Sequence, residues 1–303
     1  ANATNCAMMA EAFRVFGQED LQDHYTEKAI EAFEYAGAQD NLQLDELQGI
    51  GDGVMRGRDF KMTAAAYLYN LTGERKWEEL MAEESVVRDG PEWIIKRRKW
   101  DQSWATAAYL FSPRVKHYPD LHKAMQVAVR DQALEDNVAH MDTRPSRRTS
   151  NNNYWQTPHN LQLVILAHAI SKDEAERQLL EKAMLLEADW GLGRNPTNTV
   201  EMTGLGERHV VNCYTSGRND GTPGLHPGQT PYHNLDPWGG SHNGSHPEWY
   251  TQKCYPAREE GWPHQEGNFN SRYSWSNADF TPRQTMRGKM ALYGYLMGIY
   301  RMR

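Results

Sequence analysis

The sequence predicts an all-α protein, an array of helical hairpins such as a toroid. Three observations carry this. Apolar residues recur at three- and four-residue spacing in roughly nine windows, the period of one helix face. No stretch alternates convincingly enough to make a strand ladder. No fixed-period repeat occurs, which argues against a tetratricopeptide or ankyrin solenoid and leaves an irregular α-solenoid as the second architecture.

The elements follow in order. Cys6, Met9, Phe13 and Phe16 form a stripe that ends at Gly17, and Tyr25, Ala29, Phe33 and Ala36 form another before Gly37, so the chain opens with a helical hairpin. Similar stripes run through 59–71, 75–85, 103–111, 120–138, 157–171 and 173–191, stopped by Gly, Pro or breaks such as Asn151-Asn152-Asn153. A last helix starts near Thr281, with Pro282 suited to its first turn, and is expected to carry Met286, Met290, Tyr293, Met297 and Tyr300 inward. Short connections make successive helices antiparallel neighbours. We read residues 1–303 as a single domain portion.

The bulk numbers exclude several classes. Hydrophobic residues at 39% and charged residues at 24% fit a globular chain rather than a disordered one. No apolar run approaches the roughly 18 residues needed to cross a bilayer, which argues against membrane insertion. A net charge of -7 with scattered Lys and Arg argues against a nucleic-acid partner, which would need a concentrated basic face. The one basic cluster, Lys96-Arg97-Arg98-Lys99 between Trp93 and Trp100, reads as a solvated helix end. Cys6, Cys213 and Cys254 match no zinc spacing, although Cys213 and Cys254 could pair across a loop. The start, Ala1 to Cys6, shows no basic region followed by an apolar core.

Residues 193–280 break the helical order and are dense in Gly, Pro, Asn and His. Long loops inside a compact domain usually serve a function. This one, less than a third of the chain, holds half of the 12 histidines and Trp238, Trp249, Trp262 and Trp275 of the 10 tryptophans. Sugars present apolar C–H faces ringed by hydroxyls, so their sites pair flat aromatic platforms with short polar groups and carboxylates. Trp238, Trp249, Trp262, Tyr273 and Trp275, interleaved with His226, His233, His242, His246, His264, Asn277 and Glu266, supply that mixture.

Glycosidic cleavage needs a protonated carboxylic acid at the leaving oxygen and a second carboxylate that attacks or activates water. Glu207, Asp220, Asp236, Glu248, Glu266 and Asp279 are candidates, and Glu266 and Asp279 lie among aromatics that can raise a carboxyl pKa by desolvation. His242 and His246 flank a glycine that spoils the helical geometry of a zinc pair. Asn219-Asp220-Gly221 resembles part of a calcium loop without its later bidentate acid, so no cofactor is required and calcium is allowed. No Gly-x-Ser-x-Gly elbow and no phosphate-cradling Gly-rich loop occurs.

Asp189-Trp190-Gly191-Leu192-Gly193-Arg194-Asn195-Pro196, followed by Met202-Thr203-Gly204-Leu205-Gly206, resembles the "DY-x-LGRNP … VTGFG" passage of glycoside hydrolase family 9, the inverting cellulases. Arg218 and then Pro223-Gly224 resemble the "HHR … PG" stretch of the same family, in the same order. Trp275, Asp279, Thr281 and Thr285 fall at positions of its second signature, which carries the general acid. The resemblance implies an (α/α)6 barrel of twelve helices, an inverting mechanism and a β-1,4-glucan polysaccharide or oligosaccharide as substrate. It implies a secreted or periplasmic enzyme.

This chain departs from the family in three places. Asp279 stands where the family has Glu, one methylene shorter, which makes Glu266 the competing general acid. Ser216 stands where the family has a His two residues before the Arg, so His209, Tyr214 or His226 is expected to take part in sugar recognition with Arg218, Trp262 and Trp275. The "Asp-Ala-Gly-Asp" motif that holds the family's base is not found, and Gly51-Asp52-Gly53 is too late and too dissimilar to replace it. With roughly nine helices against twelve, an N-terminal polypeptide carrying the base is expected as a partner. Two other readings are a glycan-binding relative without turnover and a polysaccharide lyase that uses Tyr and His.

Overall fold

The computed structural model describes residues 1–38, 57–96, 99–141, 161–195, 198–211, 226–230 and 290–301. The chain divides into two compact units, Ala1–Gln132 and Ala133–Arg303. Among the described residues the architecture is all-α, as the periodicity predicts, with a single two-stranded hairpin.

The first unit is ordered around one helix. Helices α1 (Asn2–Val15) and α2 (Glu19–Ala38) form the expected hairpin across Phe16–Gln18, and both pack on α3 (Gly57–Thr72). Ten residues of α3 are buried, from Asp59 through Met62–Ala66 to Leu68–Leu71. A helix enclosed on nearly all sides needs small side chains where neighbours approach, and Ala64, Ala65 and Ala66 provide them. Helices α4 (Arg75–Glu84) and α5 (Ser103–Leu110) also lie against α3, and α6 (Pro119–Asp136) follows.

The buried face of α1 differs from the expected stripe. Ala3, Thr4, Ala7 and Ala10 face inward, while Met9 is exposed and Phe16 is 75% exposed. Close approach to α2 and α3 selects the small residues. The large ones are left at the margin, where Phe13 stacks on Tyr25 at 5.4 Å between ring centroids.

The basic cluster expected at a helix end is instead part of a hairpin. Strands β1 (Ile95–Lys96) and β2 (Trp100–Asp101) pair antiparallel, Ile95 opposite Asp101 and Lys96 opposite Trp100. The Trp100 indole donates to the Trp93 carbonyl at 2.9 Å, and the Lys96 ammonium lies 5.2 Å from the Trp100 ring centre. Arg97 and Arg98 lie outside the described residues.

In the second unit, α7 (Leu161–Ile170) and α8 (Glu174–Gly191) are neighbours, and α9 (Ala291–Arg301) packs on both. Asp173 caps α8, its carboxylate accepting the Glu176 N–H at 3.0 Å, and Glu174 and Glu176 place negative charge at the helix start. The inward face of α9 departs from the expected one: Leu292 and Leu296 are buried, whereas Met290, Met297 and Tyr300 are 58%, 53% and 45% exposed. The expected stripe was drawn through the largest side chains, and the buried pair runs beside it. Tyr293 is half-buried and its hydroxyl reaches the Ala188 carbonyl, while the Tyr300 hydroxyl donates to Glu181 at 2.5 Å. Tyr295 meets the buried His168 of α7 at 2.8 Å. The expected start of this helix near Thr281, and Met286, lie outside the described residues.

Candidate functional site

The passage that follows α8 is built by three side chains. At the helix end, Arg194 N–H bonds to Asp189 O at 2.9 Å and Gly193 N–H to Trp190 O at 3.3 Å, the paired closure of a Schellman turn. That closure needs a left-handed residue one past the helix, and Gly193 supplies it with φ +112°. Arg194 then folds back, donating to Leu186 O at 2.8 Å.

Asn195 is the second element. Its amide nitrogen donates to Trp190 O at 2.9 Å and Thr199 O at 2.7 Å, and its amide oxygen accepts the Thr199 N–H at 3.1 Å. One short side chain therefore replaces three backbone partners and ties Thr199 to the helix end at Trp190. An aspartate would offer no donor to either carbonyl.

Thr203 is the third. Its N–H bonds to Gln229 O at 2.9 Å and its carbonyl accepts Gly228 N–H at 2.8 Å. Its hydroxyl donates to His226 O at 2.5 Å and accepts Gln229 N–H at 2.9 Å. Four bonds thus latch residues 226–230 to the turn 202–206, two segments more than twenty positions apart in the chain. Gly204 permits the approach: its φ is +74°, and a Cβ added there would stand 3.0 Å from Pro227 Cβ.

His226, a predicted sugar-binding residue, sits half-buried on this latch with its backbone held by Thr203. His209 is also described, half-buried, and the candidate acid Glu207 is exposed; Asp279, Glu266, Arg218, Tyr214, Trp262 and Trp275 lie outside the described residues, as do Cys213, Cys254 and the Asn219-Asp220-Gly221 run. Among the described residues, no group of three or more His, Cys, Asp or Glu is placed to hold a metal ion. Among the same residues, no helix is long and apolar enough to cross a membrane.

Sequence reasoning missed two acids here. Glu187 on α8 and Glu201 in the turn are both buried, and Glu201 N–H is bonded to Gly191 O at 2.9 Å. Both act on Tyr293: burial first, then the charges of Glu187, Glu201 and Asp189, push its phenol well above the usual tyrosine range. Glu187 was readable as buried, since it continues the inward face of Leu180, Ala183, Met184 and Ala188. Glu201 has no such signal, because the segment that carries it has no helical period.

The first unit holds buried acids as well, and one of them gathers several donors. Glu78 on α4 accepts from the Tyr109 hydroxyl at 2.7 Å and from the His117 backbone N–H at 2.9 Å, and it meets His117 Nδ1 at 2.5 Å. The Tyr69 hydroxyl, on α3, bonds to Val115 O. Arg114 donates to Asn70 O at 3.0 Å and Leu71 O at 2.8 Å. These bonds fasten the loop 111–118 to the helices. Burial first, then the bond to Glu78 and its charge, raise the Tyr109 phenol.

Residues 1–275 match the sequence model of glycosyl hydrolase family 9. No curated protein sequence matches. Among solved structures, the family 9 endoglucanase J30 superposes with a TM-score of 0.71 at 19% identity, over 97% of this chain and 53% of that one. AaCel9A in complex with cellobiose-like isofagomine gives 0.69 at 19% identity, over 97% and 54%. A family 9 protein from Bacteroides ovatus gives 0.67 at 16%, over 97% and 52%. At these identities the likeness is one of fold, and the chain spans about half the length of the structures it matches.

Proposed function

The chain belongs to glycosyl hydrolase family 9, and from that premise we propose that it is part of an enzyme that hydrolyses β-1,4-glycosidic bonds of a glucan with inversion. The family match over residues 1–275 is the observation that carries this reading. The latch at Thr203 supports it, because it gives the His226 segment a fixed backbone beside the turn 202–206, and a sugar site needs groups that do not reorganise on binding. That its structural neighbours include the endoglucanase J30 and AaCel9A in complex with cellobiose-like isofagomine agrees with a glucan substrate.

In the proposed reaction a carboxylate removes a proton from water as the water attacks the anomeric carbon. Asp279, or Glu266 in its place, gives a proton to the departing glycosidic oxygen. Inversion follows from a single displacement, with no covalent intermediate. The base comes from a segment other than residues 1–303, where no Asp-Ala-Gly-Asp motif stands. A polymeric substrate places the enzyme outside the cytoplasm.

Reducing-sugar release from soluble β-glucans tests the reading. The complete enzyme should release sugar, residues 1–303 alone should not, and Asp279→Asn should abolish turnover. If Asp279→Asn keeps the wild-type rate while Glu266→Gln loses it, the acid is Glu266.

A further inference from the structure

Resting on the enzyme proposed above, whose base lies in a segment other than residues 1–303, we propose that the outward faces of α1 and of α9 are docking surfaces for helices of that segment. Each of these helices is apolar on two sides, and the structure covers one of them. A helix apolar on both sides is built to be enclosed.

On α1, Ala3, Thr4, Ala7 and Ala10 are buried where the helix meets α2 and α3. At about 3.6 residues per turn, Cys6, Met9, Phe13 and Phe16 run down the other side. Tyr25 stacks on Phe13, while Met9 and Phe16 are exposed. This is the stripe that the periodicity of the sequence turns inward. In the second unit α9 repeats the pattern: Leu292 and Leu296 are buried, and Met290, Gly294, Met297 and Arg301 line the opposite side, all exposed. A Cβ added at Gly294 or Gly298 meets nothing within 4 Å, so another backbone can come close there.

The matched structures point to the occupant. Residues 1–303 align over 97% of their length with 53% of J30 and 54% of AaCel9A, so a large part of that fold is chain beyond the aligned portion. In an all-α fold each further helix buries its own apolar stripe against one already in place. The chemistry of the two faces fits a helix better than other ligands. A sugar needs hydrogen-bonding groups beside its platform, and the thioethers of Met9 and Met297 supply almost none. A lipid surface needs cations flanking the apolar side, whereas Arg14 of α1 is already paired with Glu11 at 2.8 Å.

Methionine oxidation by tert-butyl hydroperoxide, located by mass spectrometry, tests both faces in the complete enzyme. Exposed thioethers react first, and the fully buried Met62, Met81 and Met125 give the protected reference. In the complete enzyme Met9, Met290 and Met297 should be as protected as that reference, whereas in residues 1–303 alone they should react ahead of it. Phe16→Gln should lower the melting temperature of the complete enzyme and leave that of residues 1–303 unchanged. Rapid oxidation of Met9, Met290 and Met297 in a complete enzyme that releases sugar overturns the docking and leaves the carbohydrate reading standing. Protection without sugar release does the reverse. Protection in residues 1–303 alone, with the sedimentation mass of two copies, assigns the faces to a dimer and overturns the proposal.

Discussion

The Thr203 hydroxyl donates to the carbonyl of His226 at 2.5 Å while it accepts the N–H of Gln229, joining two segments of the candidate site through a single oxygen. Thr203 is buried, and its hydroxyl serves both backbone groups. Thr203→Val keeps the shape and removes the oxygen. The cost should be about 1–3 kcal/mol, the penalty for a buried polar group left unpaired. Thr203→Ser should keep most of the stability. Urea denaturation of the three proteins checks this, and equal midpoints for wild type and Thr203→Val would mean that the hydroxyl holds nothing.

Two glycines with positive φ separate backbone strain from collision. An alanine at Gly193 meets nothing closer than Val200 Cγ2 at 3.8 Å, so Gly193→Ala should cost only the left-handed penalty of about 1–2 kcal/mol. At Gly204 a positive φ of +74°, closer to the left-handed region than that of Gly193, is joined by a contact of 3.0 Å with Pro227 Cβ, whose ring cannot rotate away. Gly204→Ala should therefore lower the melting temperature further than Gly193→Ala. The reverse order would contradict the close approach of 204 and 227.

Much of the helical frame was legible because burial on a helix repeats at 3.6 residues. The windows around 59–71, 75–85, 103–111 and 173–191 correspond to α3, α4, α5 and α8 within a few residues. Which face turns inward was less legible. On α1 and α9 the bulky residues Met9 and Met297 are exposed, while Ala7, Ala10, Leu292 and Leu296 are buried. The basic run at 96–99 reads like a helix end in the sequence, since the bond from the Trp100 indole to the Trp93 carbonyl follows no local pattern. In the site, Asn195 and Thr203 were visible as members of a family-like passage, but their staples join partners whose proximity no local pattern encodes. Of the predicted site residues His226, His209 and the candidate acid Glu207 fall within the described residues, His226 on one of those staples.

The carboxylate of Glu78 gathers the Tyr109 hydroxyl and the backbone N–H of His117 in a fully buried position. Removing the acceptor strands both donors, whereas an amide can still accept from them through its oxygen. Glu78→Leu should therefore cost about 2–5 kcal/mol, and Glu78→Gln clearly less. The loop 111–118 should loosen with it, because its other ties, from Tyr69 to Val115 O and the His117 ring and from Arg114 to α3, leave the His117 backbone N–H without its acceptor. Hydrogen exchange at His117 N–H in the two variants reads this directly. Unchanged protection in Glu78→Leu would show that the loop is held elsewhere.

Tyr67 on α3 gives the alkaline limit of the first unit. Burial first, then the charge of Glu11 on α1, push its phenol up to about 12 from an ordinary value of 10.0. A raised folded pKa means that the native state keeps its proton longer than the unfolded chain. The associated stability is whole below pH 10 and is lost as the pH rises through about 12. At 1.36 kcal/mol per unit the loss is of order 2–3 kcal/mol. Tyr67→Phe has no proton to lose, so its denaturation midpoint should fall less steeply than that of the wild type across this window. Ultraviolet titration at the phenolate band supplies the second reading, since one phenol should ionise late in the folded wild type and be missing from the variant. Parallel stability curves for the two proteins between pH 10 and pH 12 would place the alkaline sensitivity elsewhere, with the Tyr109 and Tyr293 phenols, both also raised by burial, as the next to replace.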